Sequence, residues 1–184
     1  MDIDTFYSLR FNSSKFDRLV ETIKPPLKNL LTLEPYDYEI INRLIGTKVE
    51  QFSYLTSISI KTSFIATINA GCSMPWHTDG GPRLSLNIPI KNCQKLVAYH
   101  SKDEFPLNPT KIDRVSHLGK DYSFLQAENF SPKTLVETDA ASPFIFNIRK
   151  FHTASNYLEV ETSVILTLRF SFDDEQKIFD ICNT

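Results

Sequence analysis

Glycine and cysteine are the scarce residues of this chain, with five of the first and three of the second among 184. A collagen-like or glycine-rich flexible chain is excluded by the first count. The three cysteines, Cys72, Cys93 and Cys182, are odd in number, far apart and without a Cys-x-x-Cys pair. That excludes a disulfide framework and a zinc ribbon, and leaves reduced packing residues. An excess of positive charge is also missing, since 20 Lys and Arg face 22 Asp and Glu for a net charge of -2. Duplex DNA and anionic membranes attract a broad basic field, so neither is expected as the main partner. There is no run of 18 apolar residues, and the start Met1-Asp-Ile-Asp-Thr-Phe6 is acidic where a secretory leader is basic. A cytoplasmic protein with no membrane partner is therefore expected. GxGxxG, GxxxxGK[ST] and GxSxG are absent too, which removes the main sequence support for dinucleotide, P-loop and α/β-hydrolase folds.

What is present is a globular composition, 41% hydrophobic and 12% aromatic, at a length that suits one domain over 1–184. Phe16, Leu19, Val20 and Ile23 follow Ser13 and Ser14 at i, i+3, i+4 and i+7, the stripe of a buried helix that Pro25-Pro26 ends. The sets Leu27, Leu30, Leu31, Leu33 and Tyr38, Ile41, Leu44, Ile45 suggest two more short helices, so 1–53 is expected to be mainly helical support. Over 54–172 short β-branched and aromatic runs take over: 55–60, 63–68, 84–90, 95–99, 134–137, 143–148 and 163–172. Seven or more strands in series predict an antiparallel sandwich or barrel. The stretch 100–133 is rich in charge and proline and reads as an inserted lid, and 173–184 as a C-terminal tail.

The chemistry concentrates in Met74-Pro-Trp-His-Thr-Asp-Gly-Gly-Pro-Arg-Leu-Ser-Leu-Asn-Ile-Pro-Ile90. On an extended backbone His77 and Asp79 share a face, so both can reach one metal ion. His152, 73 residues past Asp79, supplies a third ligand. Two imidazoles and a carboxylate leave positions of an octahedral ion open, the arrangement suited to Fe(II) and O2. The plainer reading is that Asp79 opens a turn with Gly80 and His152 is a core histidine bonded to a carbonyl. His100 and His117, at or within the expected insertion, read as solvated or substrate-contacting. Trp76 reads as core, Asn156 as the residue that holds the turn after His152, and Asn147 as either a lumen hydrogen bonder or a strand-end residue.

In its order of elements the chain resembles the Fe(II)/2-oxoglutarate-dependent oxygenase superfamily, over about 63–172. The resemblance is carried by Pro75, His77, Asp79, Arg83, the strand Leu86 to Ile90, and His152 with Asn156. It is similar to the aspartyl/asparaginyl hydroxylase-like and phage-type branches. The resemblance implies a double-stranded β-helix, a jelly-roll or cupin-like barrel backed by helices. It also implies that His77, Asp79 and His152 bind iron and form the catalytic centre, that 2-oxoglutarate chelates the metal, and that a basic side chain holds its distal carboxylate. Many such enzymes carry an arginine about ten residues after the distal histidine, where this chain has Thr162.

Arg169 and Arg83 are the candidates for that carboxylate, because a guanidinium forms two parallel charge-assisted hydrogen bonds. Val164, Leu166, Leu168 and Phe170 form an apolar strand face opposite Ser163, Ile165, Thr167, Arg169 and Ser171. Leu84, Leu86, Ile88 and Ile90 likewise oppose Arg83, Ser85, Asn87 and Pro89. If the apolar faces cover the helices, Arg169, Thr167, Ser85 and Asn87 turn into the barrel as a cosubstrate site, with Arg169 preferred over Arg83. In the opposite arrangement the apolar face fills the barrel and Arg169 is solvated. The expected activity is hydroxylation of an unidentified substrate, a protein side chain or metabolite rather than nucleic acid, with O2 and 2-oxoglutarate as cosubstrates. The alternatives are a cupin-like metal protein or isomerase not using 2-oxoglutarate, and a metal-free β-sandwich interaction domain.

Overall fold

The computed structural model describes residues 7–8, 33–35, 60–80, 83–102, 104–115, 121–170, 174 and 177. Twelve strands follow one another among them: β1 (Tyr7–Ser8), β2 (Leu33–Pro35), β3 (Ile60–Ile68), β4 (Trp76–Thr78), β5 (Leu84–Lys91), β6 (Leu96–Ser101), β7 (Thr110–Val115), β8 (Asp121–Ala127), β9 (Leu135–Asp139), β10 (Phe144–Asn147), β11 (His152–Asn156) and β12 (Ser163–Phe170). They form two six-stranded sheets, β1-β10-β5-β12-β3-β2 and β7-β8-β4-β11-β6-β9. All of the pairings are antiparallel. From β3 to β6 the chain changes sheet at every strand, and from β9 to β12 it does so again. Neighbours among these eight strands are therefore far apart in sequence.

Alternation decides which side chains meet between the sheets. In the first sheet Arg169 lies opposite Ser85, Thr167 opposite Asn87, and Asn87 opposite Phe144 on the other side. These residues line the interior. The other face carries Leu84, Leu86, Ile88, Ile145, Val164, Leu166, Leu168 and Phe170, each no more than 1% exposed. Burying each such side chain stabilises the fold by about 1.5–3 kcal/mol. The two faces therefore divide as the alternation predicts, with the polar one inward. Ala66, Ile68, Leu96, Ala98, Phe144 and Ile165 belong to the apolar cluster that fills part of the interior.

The expected N-terminal helices fall almost wholly outside the described residues. Leu33 is an exception and a correction, because it pairs with Ala66 as the first residue of β2. A single leucine that fits a helical spacing also satisfies a sheet edge when a strand partner is at hand. The expected strand at 55–60 lies outside the described residues except for Ile60, which begins β3. The stretch 100–133 also differs from the expected insertion. It contributes β7 and β8, and β8 pairs with β4, so this segment extends the second sheet. Its alternation, Phe124 and Gln126 against Ser123, Leu125 and Ala127, is hidden by the polar Gln126, paired with His77 on the interior side.

Candidate metal centre

His77 lies in the middle of β4 and His152 opens β11, directly opposite it. Their ring centroids are 4.3 Å apart. Each ring is held by the same local device. The His77 Nδ1–H donates to the Pro75 carbonyl and the His152 Nδ1–H to that of Lys150, both at 2.8 Å. A carbonyl can only accept, so in the neutral ring the proton sits on Nδ1 and Nε2 is the nitrogen free to ligate. Metal-binding histidines are oriented in this way.

Asp79 follows β4 in a turn fixed from two sides. Its N–H donates to the Ile148 carbonyl at 2.8 Å, and the Ile148 N–H donates to the Arg83 carbonyl at 2.8 Å. Gly80 is required by close approach, because a Cβ there would lie 2.4 Å from the Ser123 carbonyl oxygen in β8. The turn thus delivers the carboxylate beneath the two rings. Asp79 Oδ1 is 3.9 Å from His77 Nε2, and Oδ2 is 3.7 Å from His152 Nε2. The three ligand atoms lie within 4.8 Å of one another, so these side chains can hold one metal ion.

Arg169 completes the cluster from β12, with Nη2 2.8 Å from Asp79 Oδ2 and Nη1 donating to the Gly80 carbonyl at 3.3 Å. Burial raises the Asp79 pKa, but Arg169, then His77 and His152, outweigh it and hold the carboxyl below its ordinary value of 3.8. His152 shifts the other way from the usual paired histidine. Its burial, reinforced by His77, pushes its pKa down to about 3 against the opposing pull of Asp79. Two neutral imidazoles and one carboxylate suit a divalent first-row ion of borderline softness.

The other expected site residues are placed as follows. Ser85 is fully buried and its hydroxyl donates to the Leu168 carbonyl at 3.3 Å. Asn87 is 7% exposed, and its Oδ1 is buried and accepts no hydrogen bond. It is an interior acceptor suited to a ligand's N–H or O–H. Thr167 stands beside it in register and is half-buried. Arg83 is half-buried just before β5. Asn156 holds the turn after β11 as expected, its Nδ2 donating to Ile68 and Glu161 carbonyls and its Oδ1 accepting from the Leu158 N–H. Asn147 is a strand-end residue whose Oδ1 accepts from the Arg149 N–H.

His100 is a correction: it is 3% exposed within β6, opposite His152, rather than solvated in an insertion. The pairing of β6 with β11, invisible in the sequence, carries it inward. His117 lies outside the described residues. Phe124 and Phe146, which sequence reasoning missed, set their rings 6.3 Å from that of His77 and 4.9 Å from that of His152. The strand alternation of β8 and β10 was the signal that could have found them. Trp76, on the opposite face of β4 from His77, stacks edge-on with Phe130 at 5.4 Å. With Met74, Tyr99, Thr153 and Ser155 it lines a groove of about 560 Å³ on the far side of the second sheet from the centre.

No helix among the described residues is long and apolar enough to cross a membrane. No protein-family model matches the chain, and no curated protein matches it in sequence. Solved structures match only distantly. One is E. coli ycfD, at 14% identity and a TM-score of 0.35 over 60% of this chain and 26% of that one. The chain thus spans about a quarter of the length of that protein. Others are a dTDP-4-dehydrorhamnose 3,5-epimerase from Elizabethkingia anophelis, at 15% identity and a TM-score of 0.31 over 84% and 75% of the two chains, and the hydroquinone 1,2-dioxygenase PnpCD with Cd2+, at 8% and 0.33 over 83% and 85%. At such scores these likenesses add nothing to what the site's own geometry carries.

Proposed function

We propose that this chain is a metal-dependent enzyme of the double-stranded β-helix class, an Fe(II)- and 2-oxoglutarate-dependent oxygenase that hydroxylates a protein side chain or a metabolite. The observation that carries the reading is the convergence of His77 and Asp79, from one turn, and His152, from a strand distant in sequence, on one interior point. The strand order supports the fold assignment, because eight strands, β3 to β6 and β9 to β12, wind between two facing sheets as in a jelly roll. Iron held there together with a 2-oxo acid supplies the oxygen activation that hydroxylation requires.

The chain's own residues have separate tasks in this reading. His77 and His152 present Nε2 lone pairs, held in aim by their Nδ1–H bonds to Pro75 and Lys150. Asp79 supplies the one negative charge. Arg169 offers a guanidinium and Thr167 a hydroxyl to an acid cosubstrate, and Asn87 Oδ1 offers an acceptor to a substrate N–H or O–H on the same interior face. Ser85 contributes least, since its proton is already given to Leu168. Phe146 and Phe124 place apolar rings beside the histidines and limit water.

The test is anaerobic addition of Fe(II) and 2-oxoglutarate, followed by exposure to O2. The expected results are a weak visible charge-transfer band and then succinate, both lost in His77→Ala and Asp79→Ala. Metal binding without the band or succinate would instead support the second reading, a cupin-like metal protein or isomerase not using 2-oxoglutarate. One observation favours that reading: Arg169 is engaged with Asp79 itself rather than standing apart from the ligand set.

A further inference from the structure

We infer that Arg169 is a rival of the metal ion for Asp79, so that this arginine sets how tightly the centre binds metal. The inference rests on the metal-binding reading above and concerns its regulation. Asp79 Oδ2 is the oxygen that faces His152 Nε2, at 3.7 Å, and it is also the oxygen that Arg169 Nη2 approaches at 2.8 Å. A divalent ion shared by the two rings must bond to that carboxylate at about 2.0–2.2 Å. Guanidinium and ion would then stand on the same small anion with both histidines neutral and no second carboxylate in the ligand group.

The charges decide the sign. Asp79 and Arg169 cancel each other, so the cluster is neutral, and a dication adds two positive charges to a site where screening by water is weak. The Arg169 side chain is only 14% exposed, so bulk solvent does little to absorb the repulsion. Its second contact, from Nη1 to the Gly80 carbonyl at 3.3 Å, gives the guanidinium a foothold away from the carboxylate. Arg169 can therefore yield Asp79 to an ion without leaving the interior. The ion binds at the cost of that ion pair, and an acid that accepts the released guanidinium restores the balance. Arg169 is thus a positioning residue whose removal tightens metal binding, whereas a purely supporting role predicts the reverse.

The test is calorimetric titration of the chelator-treated full chain with Mn(II), without any organic acid. Arg169→Met is expected to bind Mn(II) at least about ten-fold tighter than wild type, and Arg169→Lys, which keeps a cation, to stay within about three-fold of wild type. Unchanged or weaker binding by Arg169→Met overturns the inference while leaving the metal site standing. Failure of wild type and Arg169→Met alike to bind Mn(II) overturns the metal-binding reading and the inference with it. If Arg169→Met does not fold, the arginine Nε–H resonances of wild type decide during titration with diamagnetic Zn(II), with Arg169 assigned by its loss in Arg169→Lys. A shift of the Arg169 signal in step with site occupancy is expected, and an unmoved signal overturns the inference.

Discussion

His77 and His152 are cross-strand partners, aligned in register on β4 and β11 although far apart in the sequence. Their rings are tilted by 52° at a centroid distance of 4.3 Å, so the two Nε2 atoms point toward the same carboxylate. The register of one antiparallel pair therefore sets the bite of the centre.

Removing either ring leaves two of three ligands. His77→Ala and His152→Ala are each expected to weaken Mn(II) or Co(II) binding at least about 100-fold, because loss of an outer partner of a ligand alone costs about 10- to 100-fold. Isothermal titration measures this. Binding within ten-fold of wild type in both variants would remove the centre proposed here.

Acid should destabilise the chain in a definite window. His152 titrates near 6.5 when unfolded and about 3 when folded, so between those values the unfolded chain binds the extra proton. Stability is thus complete above about pH 6.5 and falls as pH drops toward 3. Asp79, held below 3.8, adds loss in the same direction only at the acid end. Urea midpoints of metal-free protein at pH 8, 6, 5 and 4 are expected to fall in that order, with a flatter profile for His152→Gln. A wild-type midpoint constant from pH 8 to 4 contradicts the prediction.

Gly80→Ala tests the turn that carries Asp79. Its methyl group would meet the Ser123 carbonyl oxygen, a backbone atom in a paired strand, so relief requires moving either the turn or β8. The expected loss is about 1–3 kcal/mol of stability, together with weaker metal binding. Denaturant unfolding and titration of the same variant read both effects.

Asn156→Ala should separate folding from metal binding. The residue is 1% exposed and satisfies two carbonyls and one N–H around the end of β11. Leaving such groups unsatisfied is expected to cost about 2–4 kcal/mol. Mn(II) affinity of the variant should remain within about three-fold of wild type. A large loss of affinity with unchanged stability would assign Asn156 to the centre instead.

Much of the interior was legible because strand alternation is local. The faces of β5 and β12 follow from every second residue being Leu, Ile, Val or Phe, whereas the inward placement of the polar set Ser85, Asn87, Thr167 and Arg169 is set by how the sheets pack. The segment 100–133 was less legible. The strands that face the centre carry Gln126, paired with His77, and His100, paired with His152, where an apolar residue is normally expected, so their period is masked.

The chain's own order of residues determined the two-faced strands and the local Nδ1–H bonds that aim each histidine, because each depends on residues within two or three positions. Only the tertiary structure decided that His152 stands opposite His77, that β7 and β8 extend the second sheet, and that Arg169 reaches Asp79. These are contacts between strands far apart in the chain. Their register is set by how two sheets bury their faces together, and no short-range pattern encodes it.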